Sequence, residues 1–183
     1  MLDIKKINLE WTLFLDRDGV INHEKANDYI HNWSEFRFYD GVLEALAIFS
    51  KKFKHIVVVT NQRGIGKGVT KEEDVLYLHK KMKAAVKEKG GRIDATYYCK
   101  DVDSNSKCRK PNIGMGLQAV KDIPTIDLTK AIMIGNSLSD MQFGKNLGTS
   151  TIFLPTTRPE VNVDDEHIDA VFPSLIAFAN HLL

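Results

Sequence analysis

A chain of 183 residues, 43% apolar and 27% charged, is long enough for one globular domain over 1–183 that buries roughly 70% of its unfolded surface. The formal charge of +1 gives no electrostatic reason to bind nucleic acid or an anionic membrane, and no stretch approaches the about 20 apolar residues of a membrane helix. The opening MLDIKKI is no signal peptide, and two cysteines, Cys99 and Cys108, make no disulfide framework, so a monomeric cytoplasmic protein with reduced thiols is expected.

The apolar run TLFL at 12–15 predicts a buried strand, and it ends in Asp16-Arg17-Asp18-Gly19. Residues i and i+2 leave a strand on the same side, so both carboxylates can face one pocket; a plain Asp-Gly turn also fits. Two like charges this close need a positive partner. In the polar stretch after them, His23, Tyr29 and His31 could form a short lid, although surface histidines are the plainer explanation. Trp33, Phe36 and Phe38 read as packing residues.

Helical spacing of Val42, Leu43, Leu46 and Phe49 predicts a helix over 41–52, and IVVVT predicts a strand at 56–60. That strand ends in Thr60-Asn61-Gln62-Arg63-Gly64, then Gly66 and Gly68, a hydroxyl, an amide and a turn rich in free N–H groups that suit a phosphate. The Walker pattern fails because Gly68 stands where Ser or Thr is needed, and the dinucleotide fingerprint fails at Val69. A helix over 71–89 carries Val75, Leu78, Met82 and Ala85, with Thr70 and Glu73 offering a capping box.

A strand at 95–98 is followed by Cys108-Arg109-Lys110-Pro111, where a planar fork and a point charge could neutralise a phosphate, or form a solvated basic loop. A short helix at 114–122 precedes a strand at 131–134 that ends in Gly135-Asn136-Ser137-Leu138-Ser139-Asp140. Ser137 and Asp140 have capping-box spacing for a helix over 138–147, and Asn136 with Asp140 could also reach a cation. A last strand is predicted at 151–154. Strands alternating with helices give an α/β fold with a central parallel sheet covered on both faces. Ligands bind such sheets beyond the carboxyl ends of the strands, where all four polar clusters fall.

These residues resemble the haloacid dehalogenase superfamily. Asp16-x-Asp18-Gly19, Thr60, Lys110 and Gly135-(Asn136)-x-x-x-Asp140 stand, in order, where that superfamily has its four motifs. "FLDRDGVIN", "VVVTNQRGIGKG", "YYC…CRKP" and "IGNSLSDM" are similar to its heptose 1,7-bisphosphate phosphatase and histidinol-phosphatase branch. The resemblance implies a three-layer Rossmann-like fold, and no insertion after the first or second motif is long enough for a separate cap domain. It also implies a phosphatase acting through an aspartyl-phosphate. Asp16 would be the nucleophile and Asp18 the general acid and base, with Thr60 and the N–H of Asn61 on the transferring oxygens and Lys110 balancing charge. Arg109 and the turn carrying Asn61, Gln62 and Arg63 would read the substrate, a sugar phosphate. Mg²⁺ would lie between Asp16, the Asp18 carbonyl and the loop of Asn136 and Asp140.

Two departures from the family's pattern stand out. Asn136 occupies the position of a metal-ligating Asp, so weaker Mg²⁺ binding is expected. The branch often holds a structural zinc through Cys-x-His…Cys-x-Cys; here Cys99-Lys-Asp101…Ser106-Lys-Cys108 leaves two thiolates, and zinc is not expected. Alternatives are a histidinol-phosphate phosphatase, a nucleic-acid 3′-phosphatase with a similar Thr-Asn-Gln turn, disfavoured by the near-neutral charge, a hydrolase attacking carbon, and a phosphate-binding protein without turnover.

Overall fold

The computed structural model describes residues 2–183. Six parallel strands form one sheet in the order β3-β2-β1-β4-β5-β6: β1 Thr12–Leu15, β2 His55–Asn61, β3 Ala95–Cys99, β4 Ala131–Gly135, β5 Ser150–Phe153 and β6 Ala170–Val171. β1 is central, with Leu15 paired to Val58 on one side and Ile134 on the other. The strand end that carries both aspartates therefore lies between the ends that carry Thr60 and Asn136.

Successive side chains of β1 point to opposite faces, and each face has its own core. Leu13 and Leu15 pack with Leu46, Phe49 and Phe178, while Phe14 packs with Val57, Val59, Met115 and Phe143. The first face is covered by α1 Val42–Lys52, α3 Glu72–Glu88 and α6 Leu175–His181, the second by α4 Gly114–Asp122 and α5 Leu138–Leu147. This is the expected three-layer α/β architecture. α2, Arg63–Gly66, is a single helical turn inside the glycine-rich stretch.

The chain between β1 and α1 holds no helix or strand, only two isolated bridges, a parallel one between Asp18 and Asn22 and an antiparallel one between Asn22 and Phe38. Its aromatic residues do pack: the ring of Phe36 lies 5.1 Å from Trp33 and 4.9 Å from Phe38. The flap docks on the turn between α2 and α3. Lys67 lies 5.5 Å over the Tyr29 ring, and His31 Nδ1 meets Thr70 Oγ1 at 2.7 Å. That last contact corrects the predicted capping box. Thr70 is committed to His31, and α3 starts after Lys71 with no side-chain cap.

The thiols also differ from expectation. Cys99 closes β3, the chain doubles back, and Cys108 returns to it as a disulfide with the Cα atoms 5.5 Å apart. Nothing in a count of two cysteines indicates that fold-back. No helix among the described residues is long and apolar enough to cross a membrane.

Candidate active site

Asp16 leaves β1 with its N–H on the Ile134 carbonyl at 3.0 Å, and its side chain enters a cleft of about 190 Å³. Asp18, Thr60, Asn61, Lys110, Asn136 and Asp140 share that cleft. The structure thus brings the residues of all four sequence clusters together at the carboxyl edge of the sheet.

Lys110 is the hub. It is only 3% exposed, and its ammonium donates to Asp16 Oδ1 at 2.8 Å, Asp140 Oδ1 at 2.6 Å and the Val59 carbonyl at 2.9 Å. Burial opposes its charge, but Asp140 and Asp16 more than compensate and raise its pKa above the ordinary value. Two hydrogen bonds fix its backbone to the end of β2: Lys110 N–H to Asn61 Oδ1 at 3.1 Å, and Asn61 Nδ2 to the Lys110 carbonyl at 3.3 Å. Asp16 Oδ1 also accepts the Arg17 N–H at 2.7 Å, while Oδ2 has no donor among the described residues. Burial raises the Asp16 pKa to about 7, with Lys110 pulling down and Asp140 pushing up. A carboxylate this poorly compensated has an electrostatic demand for one more positive charge.

Asp18 has its own cation. Arg17 is fully buried and doubles back on its neighbour, with Nη2 2.9 Å from Asp18 Oδ2 and 3.0 Å from Oδ1. Asn22 Nδ2 and Gln62 Nε2 add bonds of 2.9 Å each. Burial alone would raise the Asp18 pKa; Arg17, then Asn22 and Gln62, outweigh it and hold the carboxyl below its usual range. Behind Arg17 stands His79, on the buried stripe of α3, with Nε2 2.9 Å from Nη1. Arginine can only donate, so Nε2 accepts and the ring is neutral. Burial and the guanidinium push the His79 pKa down to about 3.

Gln62 was expected to read substrate. It is 4% exposed and turned inward, accepting from Arg17 Nη2 and donating to Asp18 and to Thr60 Oγ1. Asp140 closes the predicted capping box: its Oδ2 accepts from the Asn136 and Ser137 N–H groups and from Ser137 Oγ, while Oδ1 takes Lys110. Both its oxygens are engaged by the protein. Asn136 lies flat over Gly19, whose φ is +83°; a Cβ there would fall 2.0 Å from Asn136 Nδ2. Hard oxygen donors converge here from the Asp16 carboxylate, the Asn136 amide and the loop of Asp18, a set that fits Mg²⁺.

Arg63 and Arg109 form a separate basic pair, and both are half-buried. Burial, then the Arg63 charge, lower the Arg109 pKa, and Arg63 Nε and Arg109 Nη1 are buried without a protein partner. Cys99, Asp101 and Cys108 place ligand atoms within 4.8 Å of one another, and the two sulfurs are bonded to each other. Ser106 Oγ binds Asp101 instead. Sequence reasoning missed Arg17, His79, Glu24 and Arg158, the last two being walls of the cleft. His79 alone gave a signal, as a polar residue on an apolar helical stripe.

A family profile described as polynucleotide kinase 3 phosphatase matches residues 4–169. The chain belongs to that family. It is also 34% identical to the D-glycero-alpha-D-manno-heptose-1,7-bisphosphate 7-phosphatase of Mycobacterium bovis, over 93% of this chain and 90% of the relative. The corresponding beta-heptose enzyme of Haemophilus influenzae is 35% identical, over 90% and 92%. Among solved structures, the D,D-heptose 1,7-bisphosphate phosphatase of B. bronchiseptica, complexed with magnesium and phosphate, superposes with a TM-score of 0.83 at 28% identity. The match covers 94% of this chain and 97% of that one. These similarities put the chain among the phosphatases of the haloacid dehalogenase superfamily, as the motif order implied.

Proposed function

We propose that the protein is a Mg²⁺-dependent phosphatase that removes the 7-phosphate of a D-glycero-D-manno-heptose 1,7-bisphosphate through an aspartyl-phosphate on Asp16. The observation that carries this reading is Asp16 itself, with one oxygen held by Lys110 and Arg17 N–H and the other free toward the cleft. The heptose bisphosphate phosphatases that share nine-tenths of the chain support the substrate class.

Asp16 Oδ2 attacks phosphorus, the bond from phosphorus to the sugar oxygen breaks, and that oxygen takes a proton from Asp18. The donors around Asp18 keep it ionised at rest, so it gains that proton as the phosphate dianion approaches and like charge raises its pKa. Asp18 then takes a proton from water, water oxygen attacks the phosphoryl group, and the bond to Asp16 breaks. Thr60 and the Asn61 N–H hold the transferring oxygens, and Lys110 offsets their charge. Asp16, the Asp18 carbonyl and Asn136 Oδ1 would hold Mg²⁺, with Asp140 behind them through Lys110. When bound, the ion offsets the charge of the nucleophile and of the phosphate. A neutral amide at 136 makes that binding weaker than a carboxylate would.

Arg63 and Arg109, with unpartnered N–H groups and a mutual repulsion that an anion would relieve, suit the second phosphate of a bisphosphate. That favours a bisphosphate over histidinol phosphate.

Phosphate release from heptose 1,7-bisphosphate and histidinol phosphate, assayed side by side with and without Mg²⁺, tests the reading. The bisphosphate should be preferred, Mg²⁺ required, and Asp16→Asn at least about 10³-fold slower. Equal turnover by Asp16→Asn would remove the mechanism, and a preference for histidinol phosphate would remove the substrate.

A further inference from the structure

Asn136 is 2% exposed, and its two ends are chemically unlike. An amide that faces a cation with Oδ1 must turn Nδ2 into the protein, where a buried N–H₂ without an acceptor is costly. Nδ2 of Asn136 donates to Thr157 Oγ1 at 2.6 Å, and Oδ1 has no donor among the described residues. Thr157 lies on the segment after β5, far from every sequence motif of the site.

That segment is fastened to both loops of the cleft. Leu154 N–H donates to the Gly135 carbonyl at 2.9 Å, at the end of β4, and Thr156 Oγ1 donates to the Gly19 carbonyl. Gly19 in turn packs directly under the Asn136 amide. The Thr157 hydroxyl is thus held against the back of Asn136 by the two contacts that immediately precede it in the chain.

We propose that Thr157 is a positioning residue for cation binding: its oxygen takes the buried N–H of Asn136, so that Oδ1 is free for the ion. The inference rests on the Mg²⁺ reading above. It is specific to an amide, because a carboxylate at that position would have two equal oxygens and no N–H to satisfy.

Calorimetric titration of Mg²⁺ into the intact protein tests it, beside kcat measured at saturating Mg²⁺. Thr157→Val should bind Mg²⁺ about tenfold more weakly. Thr157→Ser, which keeps the oxygen, should bind as the parent does, and kcat of Thr157→Val at saturating Mg²⁺ should stay within about twofold of the parent. In an Asn136→Asp background, Thr157→Val should change the affinity less than about twofold. Unchanged Mg²⁺ binding by Thr157→Val would overturn the inference. So would an equal loss in the Asn136→Asp background, which would assign Thr157 a general structural role. A parent protein that binds no Mg²⁺ would instead overturn the metal reading on which the inference stands.

Discussion

Arg17 shows how far a local motif can be read and where it stops. Two aspartates flanking an arginine plainly need positive charge, and the sequence suggested a metal ion as its source. The fold supplies two protein cations first, Arg17 for Asp18 and Lys110 for Asp16, and leaves only Asp16 with a raised pKa. Arg17 was invisible because its role depends on His79, Gln62 and Asn22, which a linear reading has no reason to join. His79 yields a prediction at this scale. Its pKa of about 3 in the folded protein lies below the ordinary 6.5, so between those values the unfolded chain binds a proton that the folded one refuses. Stability is complete above that window and falls as pH drops through it, by at most about 1.4 kcal/mol per pH unit. His79→Gln should flatten the slope of unfolding free energy against pH between about 6.5 and 5. An unchanged slope would mean that the ring carries a proton in the folded state.

Elements with many apolar positions were legible. β1, α4 and α5 have the bounds read from the sequence, β3 differs by one residue at one end, and β2 and α3 by one residue at each end. The two-residue β6 and the four-residue α2 are too short to show a period. The capping box at Thr70 failed for a different reason: His31, 39 positions upstream, takes the hydroxyl. The disulfide belongs to the same class of long-range fact. It ties the end of β3 to the residue two before Lys110, across a sequence separation of 9. Closing a loop of that length restricts the unfolded chain by about 2–3 kcal/mol. A thiol reductant should therefore lower the melting temperature by about 5–10 °C. Cys99→Ser/Cys108→Ser should melt at that lower temperature and be insensitive to reductant. A parent protein whose melting is unchanged by reductant would show that the pair is not bonded in solution.

For the whole molecule, the parallel sheet made the site findable, because it forces the four strand ends that carry polar clusters onto one edge. What it could not indicate is which side chains turn inward, such as Gln62, and which arrive from loops, such as Glu24, Thr157 and Arg158. The balance of charge offers no electrostatic attraction for a nucleic-acid backbone. With a formal charge of +1 and no basic stripe in its sequence, it should bind a 3′-phosphorylated oligonucleotide more weakly than about 10⁻⁴ M at physiological salt, and release its phosphate at least about 100-fold less efficiently than that of the sugar bisphosphate. Tight, strongly salt-dependent oligonucleotide binding would contradict this.

The central claim is that Asp16, prepared by Lys110 and a divalent cation, bonds to phosphorus. Crystals grown with Mg²⁺ and beryllium fluoride, a mimic of the phosphoryl group, test it most directly. The account predicts beryllium attached to Asp16 Oδ2 and an ion touching Asp16, the Asp18 carbonyl and Asn136 Oδ1. Beryllium fluoride bound away from Asp16, or an ion bound elsewhere with the cleft unchanged, would contradict it.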